Sequence, residues 1–267
     1  MALVGPPQTK WLRLQIAAGR VLLAVAVLLI WQFSPELMKM NEFWFSRPST
    51  IAATTFDLLR DGSLFNDIGI TITETLAGLA LGCVVGIPIG ILLGRSRFLQ
   101  ELFEPFLLVI NALPKIALAP LFLVWFGIGF SMKAAIAFSL VVVVMILSTY
   151  LGMRTLRQEL VHFCRTVGGS EFQLLTKIVL PSITPWLFAG LKVSLGFALI
   201  GAILGEFIAA QGGIGYLIDN AIGTFETPAV FVGLLVLLIL SMLINSGIDY
   251  LRRRFSYGAG SPDMRVN

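Results

Sequence analysis

Charged residues, histidine and cysteine are scarce in this chain of 267 residues. Only 13% of the residues are Asp, Glu, Lys or Arg, the one histidine is His162, and the two cysteines, Cys83 and Cys164, lie far apart. Soluble domains carry about 25% charged residues, so the composition excludes a soluble enzyme and a disordered tail. Two distant cysteines provide no disulfide framework, and a lone histidine has no companion for a metal site. We expect neither a metal nor a cofactor.

Apolar residues are correspondingly abundant. They make up 57% of the chain, and the mean hydropathy is +0.90, which is more apolar surface than a water-soluble fold of this size can bury. The chain is therefore expected to lie in membrane lipid. Its 19 basic residues stand in short groups between apolar stretches. This distribution is typical of a membrane protein and lacks the basic stripe that binds nucleic acid.

Several apolar stretches are long enough to cross a bilayer, which takes about 20 residues of helix. Membrane-spanning strands would alternate apolar and polar residues, and these stretches do not. The sequence therefore predicts an all-α membrane protein with six transmembrane helices. The predicted spans are 14–33, 71–94, 104–126, 132–151, 186–210 and 228–250.

The orientation follows from the basic residues. Lys10, Arg13 and Arg20 precede the first apolar run, and no small-residue cleavage site follows it in WQFSPELM, which favours an uncleaved anchor over a signal peptide. With the amino terminus inside, most Lys and Arg outside the spans fall on the cytoplasmic side, including the cluster 252–254. Both termini are therefore predicted to be cytoplasmic.

The pattern predicts three regions along the chain. Residues 1–70 hold the anchor helix and an outer segment, in which RPSTIAATTFDLLRDG predicts a short amphipathic helix that ends at Gly62 and lies on the outer membrane surface. Residues 71–254 form the core, and residues 255–267 form a cytoplasmic tail.

Glycine recurs at every fourth position of the second predicted span. A helix places such residues in one stripe, and a stripe without side chains lets another backbone approach closely in lipid. The partner is either a helix of the same chain or a second subunit. The glycines are Gly78, Gly82, Gly86, Gly90 and Gly94.

A polar connection of about residues 152–185 predicts two short helices. Leu156, Leu160, Phe163 and Val167 recur at helical spacing, and the pair Gly168 and Gly169 then ends the first helix. The second helix begins with the S-x-x-Q spacing of a capping box at Ser170 and Gln173. Its apolar face is predicted to run until Pro181 stops the helix. The residues of this face are Phe172, Leu175, Ile178 and Val179.

At this loop the chain resembles the permease subunits of binding-protein-dependent type I ABC importers, which carry the pattern E-A-A-x-x-x-G-x₉-I-x-L-P. Gly168, Ile178, Leu180 and Pro181 stand at the matching positions, while His162, Phe163 and Cys164 fill the E-A-A positions. The stretches NALPKIALAPLFLVWFGIG, LPSITPWLFAGLKVSLGFALIGAILGEFIAA and GGIGYLI are similar to the nitrate, sulfonate and taurine branch. The similarity covers roughly residues 47–254.

The resemblance implies a coupling helix within the loop 162–181, which docks on a separate cytoplasmic ATP-binding subunit present in two copies. It also implies an extracytoplasmic solute-binding protein, a location in the bacterial inner membrane, and a second permease copy, either identical or related. A helix lying among lipid headgroups is the alternative. His162 replaces the usual glutamate, which puts an acidic contact to the ATPase in doubt. The chain has no G-x-x-x-x-G-K-[ST] string, so ATP hydrolysis is expected on another polypeptide.

Ionisable residues within spans are candidates for function. Lys115 lies near the middle of the third span, flanked by Pro114 and Pro120, and proline frees backbone carbonyls at membrane depth. Lys115 and Asn111 are predicted to face the translocation path of an anionic solute; alternatively, the lysine is held by carbonyls of a neighbouring helix. Glu206, near the outer end of the fifth span, is predicted to line an outer mouth without deep burial, as is Glu74.

Two other classes of function lack the sequence features that they require. A secondary transporter driven by an ion gradient would need paired broken helices and a carboxylate at the midplane, and the sequence predicts one broken helix and no such carboxylate. An intramembrane enzyme would need a catalytic motif such as G-x-S-x-G or H-E-x-x-H, and neither occurs.

Overall fold

The computed structural model describes residues 10–37, 46–209 and 211–256. These residues form helices and connecting turns, without a strand among them, so the predicted all-α fold is confirmed. The α-helices are α1 (Lys10–Leu37), α2 (Pro48–Arg60), α3 (Ser63–Arg95), α4 (Arg97–Ala112), α5 (Ala119–Phe126), α6 (Phe130–Arg154), α7 (Gln158–Thr166), α8 (Glu171–Leu174), α9 (Leu180–Ala209), α10 (Ile214–Gly223) and α11 (Thr227–Ser256). A 3₁₀ turn, Lys115–Leu118, precedes α5, and a π turn, Leu175–Val179, joins α8 to α9.

Five continuous helical segments of the described residues are long and apolar enough to cross a membrane. They lie in α1, α3, α6, the run from α8 to α9, and α11. A sixth candidate is the pair formed by α4 and the segment Lys115–Phe126, which is bent by 78°. The bend falls at Leu113 and Pro114, inside the segment that the sequence predicts to be a broken helix.

The packing of α3 on α6 shows that the bent pair returns the chain across the bundle. Gly86 faces Met145 and Gly90 faces Thr149, so residue numbers rise together and the two helices run parallel. The connection between two parallel neighbours must lead back to the side where the first one began. The bent pair therefore supplies the return crossing, in agreement with six predicted spans.

Helix α6 forms the centre of the core. It packs against α3 on one side and α9 on the other, and Met132, Ile136, Val141 and Met145 are almost fully buried. Contacts of Gly190 with Ser148 and of Gly205 with Lys133 show that α9 runs antiparallel to α6. Small residues at these contacts let the helices approach closely. The resulting van der Waals packing holds them together in lipid, where no hydrophobic force acts between helices.

The structure corrects several helix boundaries. The prediction that Pro181 stops a helix is wrong, because helical structure continues from Glu171 to Ala209. The π turn just before Pro181 opens the backbone where the proline ring would otherwise meet a carbonyl of the preceding turn. Helix α10 was not predicted.

Two predicted regional boundaries also fall inside helices. The boundary at residue 70 lies within α3, which begins at Ser63, and the boundary at residue 254 lies within α11. The predicted amphipathic helix is present as α2 and ends before Gly62, whose φ is +80°. Residues 257–267 of the predicted tail lie outside the described residues.

Candidate coupling loop and buried polar cluster

The predicted glycine pair ends α7 as the sequence indicates. Gly168 has a φ of +78°, a conformation that glycine adopts without a steric cost. Its N–H donates to Arg165 O at 3.1 Å, and the N–H of Gly169 donates to Cys164 O at 2.8 Å. These bonds satisfy the last carbonyls of the helix and turn the chain sharply into α8. Leu156 lies before α7, which begins at Gln158.

The predicted capping box is confirmed at the start of α8. The N–H of Gln173 donates to Ser170 Oγ at 3.2 Å, and the N–H of Ser170 donates to Gln173 Oε1 at 3.0 Å. The two bonds satisfy backbone donors that a helix start otherwise leaves unpaired. The connection between α7 and α8 is therefore held in one geometry by its own residues.

The loop has a buried face and an exposed apolar face. Cys164, Leu174 and Val179 are buried and pack with Met153 and Ile183 of the bundle. The exposed face includes Phe163 (67% exposed) and Phe172 (74% exposed), with Leu160, Val167 and the polar His162 also exposed. Four residues where the loop continues into α9 are half-buried: Leu175, Ile178, Leu180 and Pro181. An exposed apolar surface on a loop that packs firmly against a helical bundle is suited to bind a partner.

Glu171 ties the loop to the end of α3. Its carboxylate accepts a hydrogen bond from Arg95, the last residue of α3, and lies 3.4 Å from Arg165 of α7. Both ion pairs are exposed to solvent, so their contribution to stability is small. Their effect is geometric, because one carboxylate connects the start of α8 with both neighbouring helices.

The predicted glycine row lies against α6 of the same chain. A Cβ atom on Gly86 would lie 2.8 Å from Met145 Cβ, and one on Gly90 would lie 2.7 Å from Ile146 O. Gly78, Gly82 and Gly94 meet Ala137, Val141 and Met153 equally closely. Of the two predicted alternatives, packing within the chain is therefore the one observed in the structure.

A buried polar cluster occupies the opposite end of α3. Lys133 Nζ of α6 lies 2.6 Å from Glu74 Oε1, with both side chains more than nine-tenths buried. Glu206 of α9 accepts hydrogen bonds from Thr71 Oγ1 at 2.7 Å and from the N–H of Gly215 at 2.5 Å. The expectation that Glu74 and Glu206 avoid deep burial is wrong, since they are only 2% and 1% exposed. In this conformation Glu206 is enclosed and does not line an open mouth.

The cluster also fixes the turn between α9 and α10. Thr71 Oγ1 accepts from the N–H of Ile214 at 2.9 Å, and Asp67 accepts from the N–H of Gly213 at 2.9 Å. Gly213 has a φ of +110°, and a side chain there would collide with Glu206. Glycine is therefore required where the turn meets the carboxylate.

Sequence reasoning did not find Lys133 and Thr71. Lys133 lies at the second position of the predicted span 132–151 and carries no expectation from the sequence, yet it is only 5% exposed. The signal available in the sequence was that charged residues stand near the corresponding ends of three apolar spans, since a buried charge requires a partner of opposite sign.

The predicted path residues lie on the bent pair. Asn111 is exposed in the last turn of α4, and Lys115 is half-buried at the start of the 3₁₀ turn, between Pro114 and Pro120. Within the described residues, no hydrogen bond or ion pair joins either side chain to Glu206. The structure thus separates the predicted path residues into an accessible pair and an enclosed carboxylate.

Residues 86–257 match the family described as binding-protein-dependent transport system inner membrane component. A probable ABC transporter permease protein of Haemophilus influenzae is 30% identical over 91% of this chain and 98% of its own length. A riboflavin transport system permease protein of Chloroflexus aurantiacus is 30% identical over 87% of each chain. A putative aliphatic sulfonates transport permease protein of Bacillus subtilis is 29% identical over 88% of this chain and 85% of its own length.

The fold agrees with these relatives. A chain in an inward-facing structure of the MetNI methionine ABC transporter superposes with a TM-score of 0.65, at 20% identity, over 72% of this chain and 96% of that one. The family match and the relatives together identify the chain as the permease subunit of an ABC importer. The chain belongs to the binding-protein-dependent permease family. It is a multi-pass protein of the bacterial inner membrane.

Proposed function

We propose that two copies of this chain form the gated path of an ATP-driven importer for a small anionic solute. An extracytoplasmic binding protein delivers the solute, and the exposed apolar face of the loop binds a cytoplasmic ATP-binding subunit, one per permease. The permease itself catalyses no reaction. The single observation that carries the proposal is the position of Phe163 and Phe172, which are exposed although the loop beneath them is capped and packed.

The loop is suited to transmit movement because its connections are short and specific. Closure of the ATP-binding subunits would push on the face around Phe163 and Phe172. Glu171 and its arginine partners connect that face to α3, and the run from α8 into α9 connects it to the bundle. A force on the loop is therefore delivered to helices that line the core. His162, which is exposed on α7, would offer the partner an imidazole at the position where the pattern E-A-A has its glutamate.

The proposed orientation places both termini and the loop in the cytoplasm. Trp31, near the end of α1, packs on Phe231, near the start of α11, with ring centroids 5.7 Å apart. Because the end of α1 contacts the start of α11 and the two helices are of similar length, Lys10 and Ser256, at their other ends, are expected on the same side of the membrane. The concentration of Arg at the end of α11 supports the assignment of that side to the cytoplasm.

The proposed solute class rests on Lys115 and Asn111 at the bend and on relatives whose names include aliphatic sulfonates and taurine. An ammonium group and an amide together suit a small sulfonate or carboxylate. Relatives of similar identity are named for riboflavin and formylaminopyrimidine. The relatives thus differ in solute, and Lys115 is the residue of this chain that favours an anion.

The test of the proposed function is to place a charge on the exposed loop face. Phe163→Asp and Phe172→Asp should abolish co-purification with the ATP-binding subunit and ATP-dependent uptake, because a carboxylate would be buried unpaired in the docked face. Phe56→Asp is the matched control, since Phe56 is 65% exposed on α2, and it should retain both properties. Uptake that continued in both loop variants without the ATP-binding subunit would instead support a carrier driven by an ion gradient.

A further inference from the structure

The buried cluster contains an excess of acid over base. Glu74 of α3, Glu206 of α9 and Lys133 of α6 are each at least 95% buried. Asp67, about two turns before Glu74 on α3, is half-buried and accepts a hydrogen bond from the N–H of Gly213. With both glutamates ionised, one ammonium group would face two carboxylates. A net negative charge would then be enclosed between helices, which carries a large desolvation cost.

The hydrogen bonds show where a donor is missing. Both oxygens of Glu206 have donors, in Thr71 and the N–H of Gly215. Glu74 Oε1 has a donor in Lys133, whereas Glu74 Oε2 is buried and has no donor within the part of the chain that the structure describes. Glu74 and Glu206 lie in the same cluster, because Thr71, one turn before Glu74 on α3, donates to Glu206. Gly205, the neighbour of Glu206, packs on Lys133, which pairs with Glu74. Ionised carboxylates only accept hydrogen bonds, so with both glutamates ionised Glu74 Oε2 is a buried acceptor without a donor among the described residues.

We propose that Glu74 and Glu206 form a proton-binding site that holds one shared proton. The proton bridges Glu74 Oε2 and the Glu206 carboxyl group, and it supplies the donor that the hydrogen-bond network lacks. The charges of the two acids, the proton and Lys133 then sum to zero. This is the usual solution when two carboxyl groups are forced together in a site of low polarity.

The site has a structural consequence beyond charge neutrality. The proton closes a network that joins α3, α6, α9 and the start of α10, at the end of the bundle opposite the coupling loop. A cavity of about 500 Å³ reaches Lys133 from the surface, lined also by Ile70, Ile128, Ala209 and Gln211. The cavity thus borders the lysine of the cluster, and neither Glu74 nor Glu206 is among its lining residues.

The direct test is infrared spectroscopy of the full chain in lipid vesicles at neutral pH. A protonated carboxyl group has a C=O stretch separate from the bands of ionised carboxylates and amides. The wild-type protein should show this band, and it should shift when glutamate carries ¹³C in its carboxyl group. Absence of the band, or a band that does not respond to labelled glutamate, would overturn the proposal, and neither observation depends on a variant that folds.

Variants then assign the proton to this pair. Glu74→Gln should lose the band and keep the thermal unfolding temperature, because its amide N–H takes the place of the shared proton. Glu206→Gln should also lose the band, since a shared proton needs both acids. Asp249→Asn is the control and should leave the band unchanged, because Asp249 is ion-paired to Lys192 at 2.5 Å. A band that persists in folded Glu74→Gln or Glu206→Gln would contradict the proposed site.

Discussion

The hydroxyl group of Thr71 donates a hydrogen bond to Glu206 across 135 positions of sequence, with a distance of 2.7 Å. The same hydroxyl oxygen accepts from the N–H of Ile214 at 2.9 Å. One small side chain thus connects α3 to the end of α9 and to the first residue of α10. Because all of these atoms are buried, each bond must be present for the turn to be stable.

The ion pair of Lys133 and Glu74 should be important for stability. Lys133→Met removes the hydrogen-bond donor to Glu74 Oε1 and leaves a buried acid without its base. We expect a loss of about 3–5 kcal/mol in the free energy of unfolding, as for other buried pairs broken on one side. Arg97→Met is the control, because the pair of Arg97 and Glu101 is exposed and contributes only about 0.5 kcal/mol. Unfolding curves in lipid or mild detergent provide the measurement, and equal curves for both variants would contradict the account of the cluster.

Two glycines of α3 should respond in opposite directions to the same substitution. In Gly90→Ala the new methyl group would lie 2.6 Å from Thr149 Cβ, and we expect overpacking to cost about 1–3 kcal/mol. Gly69 is in the same helix with no atom within 4 Å of the added carbon, so Gly69→Ala should stabilise the helix by up to about 1 kcal/mol. The comparison of their unfolding temperatures tests the packing of α3 on α6. Similar temperatures for the two variants would exclude it.

The capping box should control coupling rather than overall stability. Ser170→Ala removes the side-chain acceptor of the Gln173 N–H and should weaken the start of α8 by about 1 kcal/mol. Amide exchange at Gln173 should accelerate about fivefold, and ATP hydrolysis stimulated by loaded binding protein should fall. Ser170→Asp restores an acceptor at the helix start and should recover both. Failure of aspartate to recover them would mean that Ser170 acts through another contact.

Lys115 should matter for solute rather than for assembly. A charge-assisted hydrogen bond to an anion contributes about 1.5–3 kcal/mol, so Lys115→Met should weaken apparent solute affinity in uptake by at least about tenfold. Lys115→Arg retains the charge and should lie between the two. Co-purification with the ATP-binding subunit should be unchanged in both. Unaltered uptake and affinity in Lys115→Met would assign the lysine to packing at the bend.

Structural features that depend on residues close together in the chain could be predicted from the sequence. Long apolar runs predicted the spans, since a helix in lipid needs only length and low polarity. The capping box and the glycine pair depend on residues within a few positions of each other, and the structure contains both as predicted. The glycine interval predicted a flat face on α3, but its partner could not be chosen from spacing alone.

The predictions that the structure contradicts concern contacts between residues far apart in sequence, or a local change in the helical backbone. Glu74 and Lys133 are 59 positions apart, and no local pattern indicates that they meet. Pro181 was expected to end a helix, and the π turn that accommodates it has no recognised signature in the sequence. Glu206 was judged by its distance from the end of a span, whereas its burial results from the turn that folds back over it at Gly213 and Gly215.

The exposed face of the loop is proposed to bind a subunit that hydrolyses ATP. A photoactivatable residue introduced at Phe172, in cells that express the complete transporter, tests this most directly. Mass spectrometry should identify the cross-linked partner as a polypeptide with a G-x-x-x-x-G-K-[ST] motif, whereas the same residue introduced at Phe56 should not form this product. Cross-links from position 172 to lipid alone, or to an extracytoplasmic protein, would contradict the account.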